Sequence, residues 1–174
     1  MIDKLTISRI NLLHPKVREE VMKIYVEKIA PALTNGVYCR FTHTLRTFQE
    51  QEELYKIGRT KLVDAEGNRL GIVTKARGGQ SYHNYGLALD FCIMESRTAT
   101  WDVTKDMDKD GKPDWFEVID TFKESGYESG ADWKGKLRDF PHIQKTFGYS
   151  VKELLEKWNK GDTFIDNGIK YVNL

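Results

Sequence analysis

Two short stretches hold most of the reactive side chains of this protein. In SYHNYGLALDF, residues 81 to 91, His83 stands seven positions ahead of Asp90. In RDFPHIQ, residues 138 to 144, Asp139 stands three ahead of His142. His83 follows the flexible ARGGQS and precedes Gly86, which puts it on a loop feeding a strand. Along that strand Leu87, Leu89 and Phe91 alternate with Ala88, Asp90 and Cys92. An ionised Asp90 on a packed face needs a partner or a metal to offset its desolvation. Pro141 biases Phe140 toward extended geometry. In a straight strand Asp139 and His142 would face opposite ways, so the chain must bend at Phe140–Pro141 to bring both to one cavity. Two imidazoles and a carboxylate with an open fourth position are the donor set of a catalytic zinc ion, which lowers the pKa of a water it binds to about 7. A further carboxylate, off the metal, would take the proton as that water attacks a carbonyl. His83, Asp90 and His142 fit as ligands and Asp139 as base. Spacing alone equally allows four unrelated polar residues beside two strands.

A second pattern lies between them. DMDKDGKPDWFE places Asp106, Asp108, Asp110, Gly111, Asp114 and Glu117 at positions 1, 3, 5, 6, 9 and 12 of a calcium loop. Alternating oxygen ligands would wrap a hard cation, Gly111 would allow the sharp turn, and Glu117 would close the shell. Against it, Pro113 occupies the usually aliphatic eighth position, and the preceding TATWDVT reads as extended rather than helical. The competing reading is an acidic, solvated turn that caps a helix.

The elements that must position these groups can be read from periodicity and caps. Val17, Val21, Ile24 and Ile29 make a helical stripe after Pro15, so one amphipathic helix is expected over about 16–30. GVYCRFTHTL reads as a strand. Thr47 with Glu50 is a capping box opening a helix to about Ile57. LALDFCIM is a half-buried strand, DWFEVIDTF a helix capped by Asp114, and HIQKTF a short strand. Ser150 with Glu153 opens a last helix with Val151, Leu154, Leu155 and Trp158 on its apolar face. Helices and strands mix without regular alternation, which argues an α+β fold. Residues 1–160 are expected to form the catalytic domain, with 161–174 a tail rather than a second domain. Cys39 and Cys92 stand 53 positions apart with no C-x-x-C, and are expected to be buried reduced thiols.

Composition narrows the partners. Lys and Arg number 27 against 26 Asp and Glu, so nothing draws the chain to nucleic acid. No stretch is apolar enough to insert in a membrane. The first residues lack the basic, apolar, small order of a signal peptide, so the chain is expected in the cytoplasm unless another route releases it.

The two motifs also resemble a known family. SYHNYGLALD and DFPH match the S-x-H-x-x-G-x-A-x-D and D-x-x-H signatures of the zinc D,D-carboxypeptidase and L-alanyl-D-glutamate peptidase family, the M15-type peptidoglycan peptidases, which include phage endolysins. LRTFQEQEELYKIGRT and GADWKGKLRDFPHIQKTFGYS extend the likeness over about residues 10 to 155. The resemblance implies a Hedgehog/D,D-peptidase-like fold, a small antiparallel sheet flanked by helices. It implies zinc on His83, Asp90 and His142, with Asp139 as general base. Arg46 would stabilise the oxyanion or grip substrate. Ser81 would contact substrate, and Asp132 and Trp133 would shape the cleft wall. Ala131 departs from the family's usual double glycine. An aspartate at the base position looks more like the L-alanyl-D-glutamate endopeptidase branch. The implied partner is bacterial peptidoglycan, met by a monomer that waits in the cytoplasm until the host cell is lysed. Two rivals stand beside this: a D,D-carboxypeptidase acting on terminal D-alanine, and a non-catalytic, metal-stabilised wall-binding or phage structural module.

Overall fold

A computed structural model describes residues 1–174. In chain order the elements are α1 (Lys4–Ile10), α2 (Pro15–Ile24), a π-turn (Tyr25–Ile29), α3 (Ala30–Ala32), β1 (Val37–His43), α4 (Phe48–Lys56), β2 (Ala88–Glu95), β3 (Thr98–Thr100), α5 (Asp114–Glu124), β4 (Glu128–Ser129), β5 (His142–Gln144), α6 (Val151–Asn159), β6 (Thr163–Asp166) and β7 (Ile169–Val172). They fall into two compact units, residues 1–45 with 87–145 and residues 46–86 with 146–174.

The first unit is built on a five-stranded antiparallel sheet ordered β1-β2-β5-β4, with β3 also paired to β2. This is the expected α+β class with an antiparallel sheet and helices. Phe41, Phe91, Trp115 and Phe122 are fully buried. Phe91 of β2 meets Trp115 of α5 at 4.9 Å between ring centroids, and Phe41 of β1 meets Phe122 at 6.1 Å. Each such ring contributes roughly 1.5–3 kcal/mol of burial, which fixes α5 on the sheet. Asp3 caps α1 and pairs with Arg40 of β1 at 2.9 Å, tying the N-terminal helix to the edge strand. Cys39 and Cys92 are buried free thiols.

The single helix expected over 16–30 is interrupted. Pro31 has no N–H to return to residue 27, and the Ala30 N–H bonds instead to the Tyr25 carbonyl, five residues back. The wide turn at Tyr25–Ile29 is the result.

The second unit packs α4 and α6 around aromatic rings. Phe48 lies 4.8 Å from Trp158 and 5.8 Å from Tyr85. Thr47–Glu50 and Ser150–Glu153 form the two capping boxes read from sequence. Residues 161–174, read as a tail, contain the hairpin β6–β7. Its turn residues Asn167 and Gly168 both have positive φ, as a two-residue type I′ turn requires. Tyr171 of β7 is fully buried, and Lys170 sits 4.4 Å over the Trp158 ring.

Candidate active site

In the first unit, the antiparallel register of β2 and β5 sets Asp90 directly opposite His142. The Asp90 Oδ1 and His142 Nδ1 atoms are 3.1 Å apart, and His142 is buried. The other ring nitrogen, Nε2, lies 2.9 Å from Gln144 Oε1, and the Gln144 amide nitrogen donates to Glu128 Oε2 at 2.9 Å. With that amide nitrogen committed to Glu128, the Gln144 oxygen must face the imidazole and accept from Nε2–H. The neutral ring then turns an Nδ1 lone pair toward the Asp90 carboxylate. Two acceptors so close require a proton or a cation between them. Burial of the ring opposes its protonation, but Asp90, then Gln144 and Asp139, outweigh burial and hold its pKa above the ordinary histidine value. Trp133 packs against the ring at a tilt, with centroids 5.1 Å apart.

Asp139 reaches this neighbourhood through the bend anticipated at Phe140–Pro141. The His142 N–H donates to the Asp139 carbonyl at 3.2 Å, and the Asp139 N–H to the Gly130 carbonyl at 3.0 Å. Its side chain is exposed. Gly130 permits the approach, since a Cβ there would collide with the Asp139 carbonyl oxygen. Ala131 sits inside a short 3-10 turn, Gly130–Asp132, with an ordinary negative φ, so its departure from a double glycine costs the backbone nothing. Asp132 turns to Lys123 at the end of α5, 2.8 Å away.

In the second unit, His83 is buried on a 3-10 turn, Tyr82–Tyr85, that Ser81 caps and Gly86 ends in left-handed geometry. Asn84 holds three segments together. Its Oδ1 accepts from the N–H groups of Gly79 (3.0 Å) and Ser81 (3.2 Å), and its Nδ2 donates to the Arg46 carbonyl at 2.9 Å. The Arg46 N–H donates to the His83 carbonyl at 3.0 Å. The Arg46 guanidinium donates to Gln51 Oε1 at 2.8 Å, while Glu50 serves the Thr47 cap. Gln51 is fully buried and also bonded to the Ala76 carbonyl. The remaining histidines are placed elsewhere: His14 caps α2, and His43 ends β1 beside a bulge.

The acidic loop is also brought together. Asp106, Asp108 and Asp114 form one group with ligand atoms within 4.8 Å of each other, and Asp108, Asp110 and Glu117 another. Burial, then Asp110, Asp108 and Asp114, push the Glu117 pKa up to about 7.

The family model described as D-alanyl-D-alanine carboxypeptidase matches residues 74–145, a stretch that includes His83, Asp90, Asp139 and His142. Over 133 residues the chain is 44% identical to the peptidoglycan L-alanyl-D-glutamate endopeptidase CwlK of Bacillus subtilis, covering 76% of this chain and 72% of that protein. The chain belongs to the peptidase M15 family. A phage protein, the L-alanyl-D-glutamate peptidase of Listeria phage A118, is 28% identical over 119 residues, which are 68% of this chain and 34% of the phage protein. The crystal structure of the L-Ala D-Glu endopeptidase ChiX of Serratia marcescens superposes with a TM-score of 0.52 at 20% identity, covering 84% of this chain and 90% of that one, and so shares its fold.

For an M15 peptidase the residues that sequence reading missed are Gln144, Glu128 and Asn84. Gln144 lies two positions after His142, on the same face of β5, so strand alternation would have found it. Replacing Gln144 by Leu removes the acceptor that orients the His142 ring while keeping its bulk. A zinc ion held by that ring, as proposed below, should bind about 10- to 100-fold more weakly, read by competition with a chromogenic chelator. An unchanged affinity would show that Gln144 does not orient the ring.

Proposed function

We propose that this M15 peptidase is a zinc enzyme that hydrolyses the bond between L-alanine and D-glutamate in peptidoglycan stem peptides. The observation that carries the reading is the facing Asp90–His142 pair on β2 and β5, with Asp139 held one turn away. Two imidazoles and a carboxylate suit zinc, and in this reading His83, Asp90 and His142 would supply them. Zinc bound there supplies Lewis acidity and a water of lowered pKa.

Asp139 takes a proton from water as its oxygen adds to the L-alanyl carbonyl carbon, and returns that proton to the departing D-glutamyl amine. Its exposure suits a group that exchanges protons with substrate. Arg46 stabilises the negative charge that develops on the carbonyl oxygen. Ser81 and Trp133 contact the stem peptide. Gln144 and Glu128 keep the His142 ring in place.

The name of the Bacillus relative supports this bond and this wall substrate, and the name of the Listeria phage relative supports the same bond. No helix is long and apolar enough to cross a membrane. The family model's description favours a second reading, removal of terminal D-alanine. One digest separates the two. Purified peptidoglycan treated with the zinc-loaded protein should expose new D-glutamate amines, lost when a chelator is added and restored by zinc. Free D-alanine without new D-glutamate amines would establish the second reading, and no release of either would leave a binding module.

A further inference from the structure

We propose that the loop from Asp106 to Glu117 is a second metal site, separate from the histidines, that binds one calcium ion and clamps α5 to the sheet. The proposal stands on side chains of the first unit and does not depend on the zinc reading.

Clustered carboxylates alone do not make a site. Here two of their oxygens are left without any hydrogen-bond partner although buried: Asp114 Oδ1 and Glu117 Oε2. Asp114 is completely shielded from solvent. Its other oxygen accepts from the Met107 N–H at 2.9 Å. A buried carboxylate oxygen lacking any donor is costly, and a cation bound beside it would satisfy it. Asp114 belongs to the group with Asp106 and Asp108. Asp108 belongs to both acidic groups, so the two triads adjoin through one shared carboxylate.

The loop is shaped to hold them there. Asp106 accepts from the N–H groups of Lys109 (2.7 Å) and Gly111 (3.0 Å), drawing the chain round on itself. Gly111, at φ +101, makes the reversal. Each of these oxygens keeps a second lone pair for an ion. Pro113, the residue that weakened the motif, stands at the N-cap of α5 and starts it, so that Asp114 and Glu117 both lie in the first turn. All donors are oxygens and none is sulfur or imidazole, which selects a hard cation over zinc. Five carboxylates give more oxygens than an octahedral magnesium ion can use, which favours calcium with its six to eight ligands.

The site would act as a clamp through its neighbours. Asp108 Oδ2 accepts from the Thr34 N–H at 2.9 Å, and its carbonyl accepts from the Asn35 side chain at 2.6 Å, just before β1. Trp115, next to Asp114, packs on Phe91, the neighbour of Asp90 on β2. An ion at Asp108 would join the start of β1, the loop and the first turn of α5, relieving the repulsion among the carboxylates.

The test uses the 174-residue, zinc-loaded chain in calcium-free buffer, titrated with calcium, with magnesium and with terbium. Calcium should bind once per chain by calorimetry, raise Tm by about 5 °C or more at saturation, and leave zinc content unchanged. Terbium should show luminescence sensitised through Trp115. Glu117→Gln and Asp110→Asn, each tested for retained zinc and native circular dichroism, should weaken calcium binding by tenfold or more. Absence of heat, Tm shift and sensitised luminescence up to ~10 mM calcium, beyond the weakest natural loop sites, would overturn the proposal. So would equal calcium binding by both variants, since the ion would then sit elsewhere.

Discussion

Asp139→Asn is expected to lower peptidoglycan hydrolysis by about 10²- to 10⁴-fold, the usual worth of a positioned general base, while the protein keeps its zinc. The substitution is nearly isosteric. Two main-chain bonds anchor this residue, N–H to the Gly130 carbonyl and carbonyl from the His142 N–H, and asparagine keeps them. What is lost is the ability to hold a proton between its removal from water and its delivery to the leaving amine. Turnover on purified wall and zinc content per chain are the two measurements. Full activity would remove Asp139 from the chemistry. Loss of zinc together with activity would make it a ligand rather than a base.

The second large effect is expected at His142. Replacing it by alanine should weaken zinc binding by more than about 100-fold and abolish hydrolysis, because even outer partners of a metal ligand are worth about 10- to 100-fold. The same variant strips Asp90 of its facing partner and Gln144 of its donor, and exposes one side of Trp133. The wild-type ring also sets a pH dependence. Its pKa in the metal-free fold is raised, burial being outweighed by Asp90, Gln144 and Asp139. The stabilisation from the protonated pair is therefore full below the unfolded histidine pKa and is lost as pH rises through the raised folded value. Zinc must displace that proton. Its affinity should consequently fall by roughly tenfold per pH unit on the acid side of the raised pKa. Metal affinity measured from pH 5 to 8 in wild type and in Asp90→Asn checks this. A flat profile in wild type would show that the ring carries no proton to displace.

Much of this was legible in the chain because the cues were local. Thr47 with Glu50 and Ser150 with Glu153 cap α4 and α6 as their spacing demands. Pro141 forced the bend that carries Asp139 toward His142. The hairpin at 163–172 was equally local, with Asn167–Gly168 set between alternating apolar residues, and was passed over as a tail. Other features depend on partners distant in sequence. Nothing near Gly130 announces that the Asp139 carbonyl approaches it, and nothing near Asn84 announces that it bonds to Arg46. The π-turn at Tyr25–Ile29 hides in a good helical stripe, and only the missing N–H of Pro31 hints at it. The cap of α5 moved one residue, to Pro113, which turned Asp114 from a cap into a buried group inside the first turn.

The pairing of Asp90 with His142 across β2 and β5, beside the bulge between Phe41 and His43, has a consequence for how this chain can change its length. An inserted or deleted residue within 88–90 or 142–144 shifts the pairing by one step, and a one-step slip turns every following side chain to the opposite face. The ligand would then leave the site although no ligand had been mutated. Between those strands β3, α5 and β4 are themselves paired or packed on the sheet, so only irregular stretches such as 134–138 escape the constraint, where doubling a loop costs only about 0.6 kcal/mol. Variation in size among proteins of this kind should therefore accumulate in such irregular stretches and stop abruptly where a paired strand begins.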